Sequence, residues 1–155
     1  MSSKEYQNFR DAVYNTLVKY IDMEDGFIVK LMTLRGELIK RDLTKRQVNI
    51  INFITALSYG LSKESAVVPN MQDFELCGVG KTRIRNELGK LVDLNVIDWD
   101  EVNNLFSLKD PAKWNAPYHK GFSEMRSGEL FMLNLRHKGL NSDEIEREIS
   151  KAINK

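Results

Sequence analysis

The stretch CGVGKTRIRNELGKLVDLNVIDWDEVNNLFSL, residues 77–108, decides the fold. Its first four residues carry two glycines and read as a turn. Residues 81–92 follow, with Ile84, Leu88 and Leu91 at i, i+4 and i+7. That spacing puts three apolar side chains on one face of a 3.6-residue helix. Asn95 predicts the stop, because asparagine tolerates the left-handed backbone that ends many helices. Residues 96–99 and 105–108 are mostly β-branched, aromatic and aliphatic, with Asp98 and Ser107 the exceptions, and predict two short strands. The polar run 100–104 joins them as a β-hairpin.

Working upstream, Asn70 caps a one- or two-turn helix through Met71, Phe74 and Leu76. Residues 62–69 form a loop that contains a short strand at Ala66, Val67 and Val68. Thr44 and Gln47 fit a capping box, in which each side chain satisfies a free backbone N–H of the first turn. The helix they open carries Val48, Ile50, Ile51, Phe53, Ile54, Ala56 and Leu57. It is apolar nearly all round, so it is expected to be the central helix and to end at Gly60. Residues 33–41 predict a short basic helix with Leu34, Leu38 and Ile39 as its contacts. Residues 26–31 predict a short strand on their β-branched and aromatic character.

The chain opens with Tyr6, Phe9, Val13, Leu17 and Ile21, a helical stripe behind a Ser2–Glu5 capping box. This helix is expected to stop before the turn dipeptide Asp25-Gly26 and to pack on the core or on a second copy. Beyond the hairpin, residues 129–138 hold Leu130, Phe131, Leu133 and Leu135 and end at Gly139. Asn141 and Glu144 fit another capping box, followed by Ile145, Ile149 and Ile153. This arm either packs as an α-hairpin on the preceding domain or serves dimerisation or partner docking.

The order helix, short helix, turn, helix, hairpin is that of a helix-turn-helix followed by a wing. The expected fold is mainly α with a small β-hairpin: a winged helix-turn-helix with extra N- and C-terminal helices. The expected domains are an N-terminal helix (1–25), a winged-helix domain (26–115) and a C-terminal helical arm (116–155).

A length of 155 residues with 42% hydrophobic and 29% charged residues fits one packed domain with a small appendage. Lys plus Arg is 23 and Asp plus Glu is 22, a net of +1. That balance excludes a generally polycationic coat but allows a local basic face. Positive charge is concentrated in two runs, Lys30, Arg35, Lys40, Arg41, Lys45 and Arg46, and then Lys81, Arg83, Arg85 and Lys90. One cysteine, Cys77, excludes an intramolecular disulfide and a Cys-rich zinc site. No stretch approaches the roughly 18 apolar residues of a membrane span. The polar start MSSKEYQNFRD is not that of a signal peptide. A cytoplasmic protein with no cofactor and no metal is expected.

On the 81–92 wheel, Thr82, Arg85, Asn86 and Gly89 lie opposite the apolar face, flanked by Arg83 and Lys90. Arginine can fork onto guanine O6 and N7, and asparagine can pair twice with adenine. Lys81, Arg83 and Lys90 are placed to meet phosphates. Lys45 and Arg46 open the central helix, where free N–H groups also attract phosphate. Gly89 lacks a packing reason on an exposed face, and close approach of a DNA backbone supplies one. A solvated charged face has the same composition; the turn, the hairpin and the second basic run argue for DNA.

Two other leads fail. Gly80-Lys81-Thr82 resembles the end of a phosphate-binding P-loop, but that motif needs glycine where Glu75 stands. Asp98, Asp100 and Glu101 cluster at a hairpin tip without histidine, which reads as a solvated turn. His119 and His137 have no partner spacing, and no nucleophile–base constellation stands out, so no enzymatic activity is expected.

Taken together, residues 26 to about 114 resemble the N-terminal DNA-binding domain of the lambda replication protein O family, the phage replisome organisers. GFIVKLMTLRGELIKRDLTKRQVNIINFI (26–54) is similar to the family's opening and its "L-T-x-R" helix start. Ser58-Tyr59-Gly60 looks like its "TYG". Residues 77–91 resemble its recognition helix, and Asn95-Val96-Ile97 its "G-V-I" exit into the wing. The resemblance implies a winged helix that binds repeated sites in a phage or prophage origin, on double-stranded DNA in a bacterial nucleoid. It implies partners on the helicase side, a helicase loader or the replicative helicase, and puts Lys81, Arg83, Arg85 and Asn86 on the DNA-reading helix. Gly80 departs from the usual serine cap, the wing residues Asp98, Asp100 and Glu101 are acidic, and the family's longer C-terminal region has no counterpart before Lys155. A winged-helix transcription regulator, or an adaptor that uses the fold without DNA, are the alternatives.

Overall fold

The computed structural model describes residues 25–139 together with Lys4, Asp143, Glu144 and Arg147. The expected Ser2–Glu5 capping box, the stripe from Tyr6 to Ile21, Asn141 of the second expected box and the stripe Ile145, Ile149 and Ile153 lie outside the described residues. The chain divides into two compact units, Met1–Pro117 and Tyr118–Lys155.

In the first unit, α1 (Asp25–Lys40) and α2 (Lys45–Ala56) precede a 3₁₀ turn at Tyr59–Leu61 and strand β1 (Ser65–Val67). A 3₁₀ helix at Met71–Cys77 leads to α3 (Ile84–Asp93), then β2 (Ile97–Asp100) and β3 (Leu105–Leu108). The sheet is antiparallel in the order β1-β3-β2. Trp99 pairs with Phe106 across the hairpin, and Ala66 pairs with Phe106 from the other side. The predicted hairpin is present, and the predicted strand near Ala66 adds its third member. This mostly helical unit with a small antiparallel sheet is compatible with a winged helix.

The strand expected over residues 26–31 is not there, and Asp25-Gly26 is not a turn: α1 runs through both. Phe27, Leu31, Leu34 and Leu38 recur at helical spacing; Leu34 is buried and the others pack partly against the core. The β-branched Ile28 and Val29, which suggested a strand, instead face outward along with Met32 and Ile39. Side-chain periodicity outweighed β propensity.

The α2 start follows the sequence. Gln47 N donates to Thr44 Oγ1 at 3.2 Å, and Thr44 N donates to Gln47 Oε1 at 2.8 Å, closing the capping box. Thr44→Ala is expected to cost about 1 kcal/mol, read as a lower denaturant midpoint with unchanged slope. An unchanged midpoint would mean that the box does not hold the helix. The end differs from expectation: α2 stops at Ala56, and Gly60 lies in the following 3₁₀ turn. Thr55 Oγ1 donates to Ile51 O at 2.6 Å and Ser58 Oγ to Ile54 O at 2.7 Å, and the backbone leaves helical geometry at Ser58.

The core joins Ile50, Ile51 and Ile54 of α2 to Ile84, Leu88 and Leu91 of α3, with Phe74, Ile97 and Phe106 between them. An aromatic ladder crosses it. Phe53 meets Phe74 at 5.2 Å, Phe74 meets Phe106 at 5.1 Å, and Phe106 stacks on Trp99 at 5.7 Å. Residues after β3 fold back over this core. Arg41 donates to Ala116 O at 2.7 Å and Pro111 O at 2.9 Å, pairs with Glu37 at 2.9 Å, and lies over the Trp114 ring.

The second unit contains α4 (Glu124–His137), five residues longer at its start than predicted. Ser123 accepts from Arg126 N at 3.2 Å as its cap, and Gly139 follows the end at a φ of +100°. Met125, Leu130, Phe131 and Leu133 are exposed.

Candidate nucleic-acid interface

Glycine geometry sets the entry to α3. Gly78 ends the preceding 3₁₀ helix at a φ of +90°, where its N–H donates to Glu75 O at 2.9 Å. The chain then turns through Lys81, Thr82 and Arg83, and the helix begins at Ile84. Lys81, Thr82 and Arg83 therefore sit in the turn, not on the helix as the wheel had them. The reason is local: Gly80 supplies no side-chain cap, and Arg83 stands at the N-cap without a side-chain hydrogen bond. All three remain exposed.

From Ile84 onward the wheel is correct. Ile84, Leu88 and Leu91 are fully buried, while Arg85, Asn86 and Lys90 are exposed and Gly89 is half-exposed. Glu87 shares the buried side, a position the sequence reading did not single out, and meets Lys90 at 3.7 Å. A β-carbon at Gly89 would find nothing within 4 Å, so folding does not require glycine there. Asn95 adopts a φ of +60° after the helix, as its stop role predicted.

The N-terminus of α2 reaches the same neighbourhood. Thr44, Lys45, Arg46 and Asn49 line one shallow concavity with Gly78. Thus the exposed Lys45 and Arg46 adjoin the turn that precedes α3, with the free N–H groups of a helix start beside them.

Three of the four remaining basic residues of the first run are paired, while Arg35, exposed on α1, makes no ion pair among the described residues. Lys30 pairs with Glu64 and lies over the Phe27 and Tyr59 rings; Lys40 and Arg41 pair with Glu37. By contrast, Lys45, Arg46, Lys81 and Arg83 make no ion pair among the described residues. Four unpaired cations on neighbouring segments favour an anionic partner in a way that the net charge of +1 conceals.

The hairpin adds a contact the sequence did not reveal. Arg85 Nη1 lies 3.3 Å from Glu101 Oε1, and its guanidinium carbon is 5.4 Å from the centre of the Trp99 ring. The two partners stand sixteen positions apart; only the acidic character of the wing hinted at the pairing. Asp98, in contrast, pairs with Lys109 at 3.7 Å. Asp100 stays within the turn, accepting from Asn103 Nδ2 at 2.9 Å and from the N–H groups of Val102 and Asn103. The Asn103 side-chain amide, aided by these N–H groups, holds the Asp100 carboxyl below the usual carboxylate range.

Other chemistry is poorly supplied. Burial pushes the Cys77 thiol up, and its Sγ donates to Phe74 O at 3.1 Å, so it is a weak nucleophile. Among the described residues, no group of three or more His, Cys, Asp or Glu side chains could hold a metal ion. No helix among them is long and apolar enough to cross a membrane.

Residues 19–114, well over half of the chain, match the family model described as bacteriophage replication protein O. No curated protein and no solved structure matches the chain.

Proposed function

The chain belongs to the bacteriophage replication protein O family, so its role lies in phage replication, and we propose that it fills that role by binding double-stranded DNA sequence-specifically at an origin. The observation that carries this reading is the surface formed by α3 and its entry. Arg85 and Asn86 are exposed on the helix, and the adjoining turn and helix start carry Lys45, Arg46, Lys81 and Arg83, which make no ion pair among the described residues. Arg85 and Asn86 have the donors and acceptors that distinguish guanine and adenine in the major groove. Lys45, Arg46, Lys81 and Arg83 meet phosphates, as does Lys90 when it leaves Glu87. Thr82 lies within the same exposed turn and adds a hydroxyl donor.

In this reading residues 26–115 form the DNA-binding domain, flanked by the N-terminal segment and the arm 116–155. The protein works non-enzymatically in the bacterial cytoplasm, on the nucleoid. A helicase loader or the replicative helicase takes over the opened origin, and the flanking segments are where a homodimer forms or such a partner docks.

The test is a binding titration of the full chain against duplex fragments tiled across its own coding gene and across unrelated sequence, over a range of salt. Four phosphates neutralised by the unpaired cations alone give a log–log salt slope of about −3 to −4. One fragment is expected to bind well above the rest. A chain that retains no duplex at low salt overturns the proposal. That outcome favours a protein–protein adaptor, a reading supported by the carboxylates that occupy Arg85 and Lys90.

Gly89 offers a second check. Gly89→Ala is expected to stabilise the protein by about 0.5–1 kcal/mol, because helix formation then costs less backbone entropy and the new methyl meets nothing. DNA affinity is expected to fall at the same time, since the methyl stands where a DNA backbone approaches. A more stable variant with undiminished affinity would remove Gly89 from the interface.

A further inference from the structure

Arg85 is held from two sides by the hairpin. Its guanidinium lies over Trp99, whose ring stacks on the buried Phe106 at an interplanar angle of 18°. The aromatic shelf is therefore tied to the core, and the arginine cannot slide far without leaving it. At the shelf's edge stands Glu101, 3.3 Å from Nη1. The turn that carries Glu101 is itself fixed: Asp100 accepts from Val102 N at 3.1 Å and Asn103 N at 3.2 Å, and Asn104 Nδ2 reaches Pro69 O at 3.1 Å. A carboxylate is thus set by the fold against the side chain that the DNA reading assigns to base recognition.

We propose that Glu101 is a specificity-determining residue, a built-in counter-ion that stands at Arg85 where a DNA phosphate would otherwise stand. The inference rests on the DNA-binding reading and deepens it. The pair is a single contact between side chains that are 70% and 62% exposed, so it is weak and readily exchanged. A phosphate offers Arg85 one similar charge-assisted contact and brings a repulsion with Glu101. Such an exchange gains almost nothing, so Arg85 contributes little to binding at an arbitrary sequence. A guanine offers two parallel acceptors in the groove, discriminated by about ten- to a hundred-fold from the wrong base, and draws the arginine away. Glu101 therefore penalises the backbone contact more than the base contact. Specificity is gained by disfavouring the wrong partner.

The experiment uses the full chain with Glu101→Gln, Asp98→Asn, Arg85→Ala and the double variant Arg85→Ala/Glu101→Gln. Each is titrated at low salt with a mixed-sequence duplex and with the fragment that the parent binds best. Asp98→Asn removes one negative charge from the same hairpin but from a carboxylate paired with Lys109, so it reports the general field alone. Glu101→Gln is expected to bind the mixed duplex about two- to five-fold more tightly and the preferred fragment with a smaller gain, so that the ratio between them falls. In the Arg85→Ala background the gain is expected to vanish. The proposal is overturned if Glu101→Gln binds like the parent, if both duplexes gain equally, if Asp98→Asn matches it, or if the gain survives without Arg85. A parent that binds neither duplex overturns the DNA reading itself, and the proposal with it.

Discussion

Arg85→Ala is expected to weaken binding to the preferred duplex by about 1–3 kcal/mol, roughly ten- to a hundred-fold, and to relax the preference at one base pair. Arg85 projects from the first turn of α3, with its side chain 70% exposed. It is the α3 side chain whose planar fork matches the two acceptors of guanine. The fold does not depend on it. Ile84 and Leu88, its neighbours on the buried face, anchor the helix, and an exposed pair with Glu101 adds little stability. The melting temperature of Arg85→Ala is therefore expected to stay near that of the parent, within about 0.5 kcal/mol in stability. Binding isotherms against the tiled fragments, paired with thermal melts, separate the two quantities. Asn86→Ala serves as the companion variant. If both bind every fragment as the parent does, α3 does not read bases.

Much of the exposed surface of α3 was legible in the sequence. The i, i+4, i+7 stripe of Ile84, Leu88 and Leu91 fixed which side of α3 faces the core and hence which side is free. The Thr44–Gln47 capping box and the left-handed Asn95 are local signals, written within four residues of where they act. The failures have equally physical causes. Ile28 and Val29 carry strand propensity, but the spacing of Phe27, Leu31, Leu34 and Leu38 put them on the outer face of a helix. Lys81 to Arg83 continue a helical pattern by composition, yet nothing among them or at Gly80 caps the first turn. The division of the basic run into paired and unpaired cations was legible only at Lys40 and Arg41, three and four positions from Glu37. The rest depends on Lys30 meeting Glu64 and Arg41 meeting the carbonyls of residues 111 and 116, contacts across 34 to 75 positions. Long-range pairing of charges leaves no local pattern in a chain whose totals nearly cancel.

The other large effect is expected at Phe74. Phe74→Ala is expected to destabilise the protein by about 3–5 kcal/mol, a substantial part of the stability of a domain this size. The ring is fully buried and lies between two others, meeting Phe53 at 5.2 Å and Phe106 at 5.1 Å, both edge-on. Its removal loses the transfer energy of the ring, two aromatic contacts and whatever part of the cavity the neighbours cannot fill. Those neighbours are poorly placed to collapse inward. Phe106 is pinned by its pairing with Trp99 and Ala66 in the sheet, and Phe53 by α2. Leu76→Ala is the control, two positions along the same 3₁₀ helix but 79% exposed, and is expected to change stability by no more than about 0.5 kcal/mol. Urea melts of both variants check the pair, with the midpoint of Phe74→Ala falling at unchanged slope. Equal midpoints would mean that the aromatic ladder does not organise the core. The consequence would reach the proposed interface as well, since Trp99, on which Arg85 rests, is tied to that core through Phe106 and Phe74.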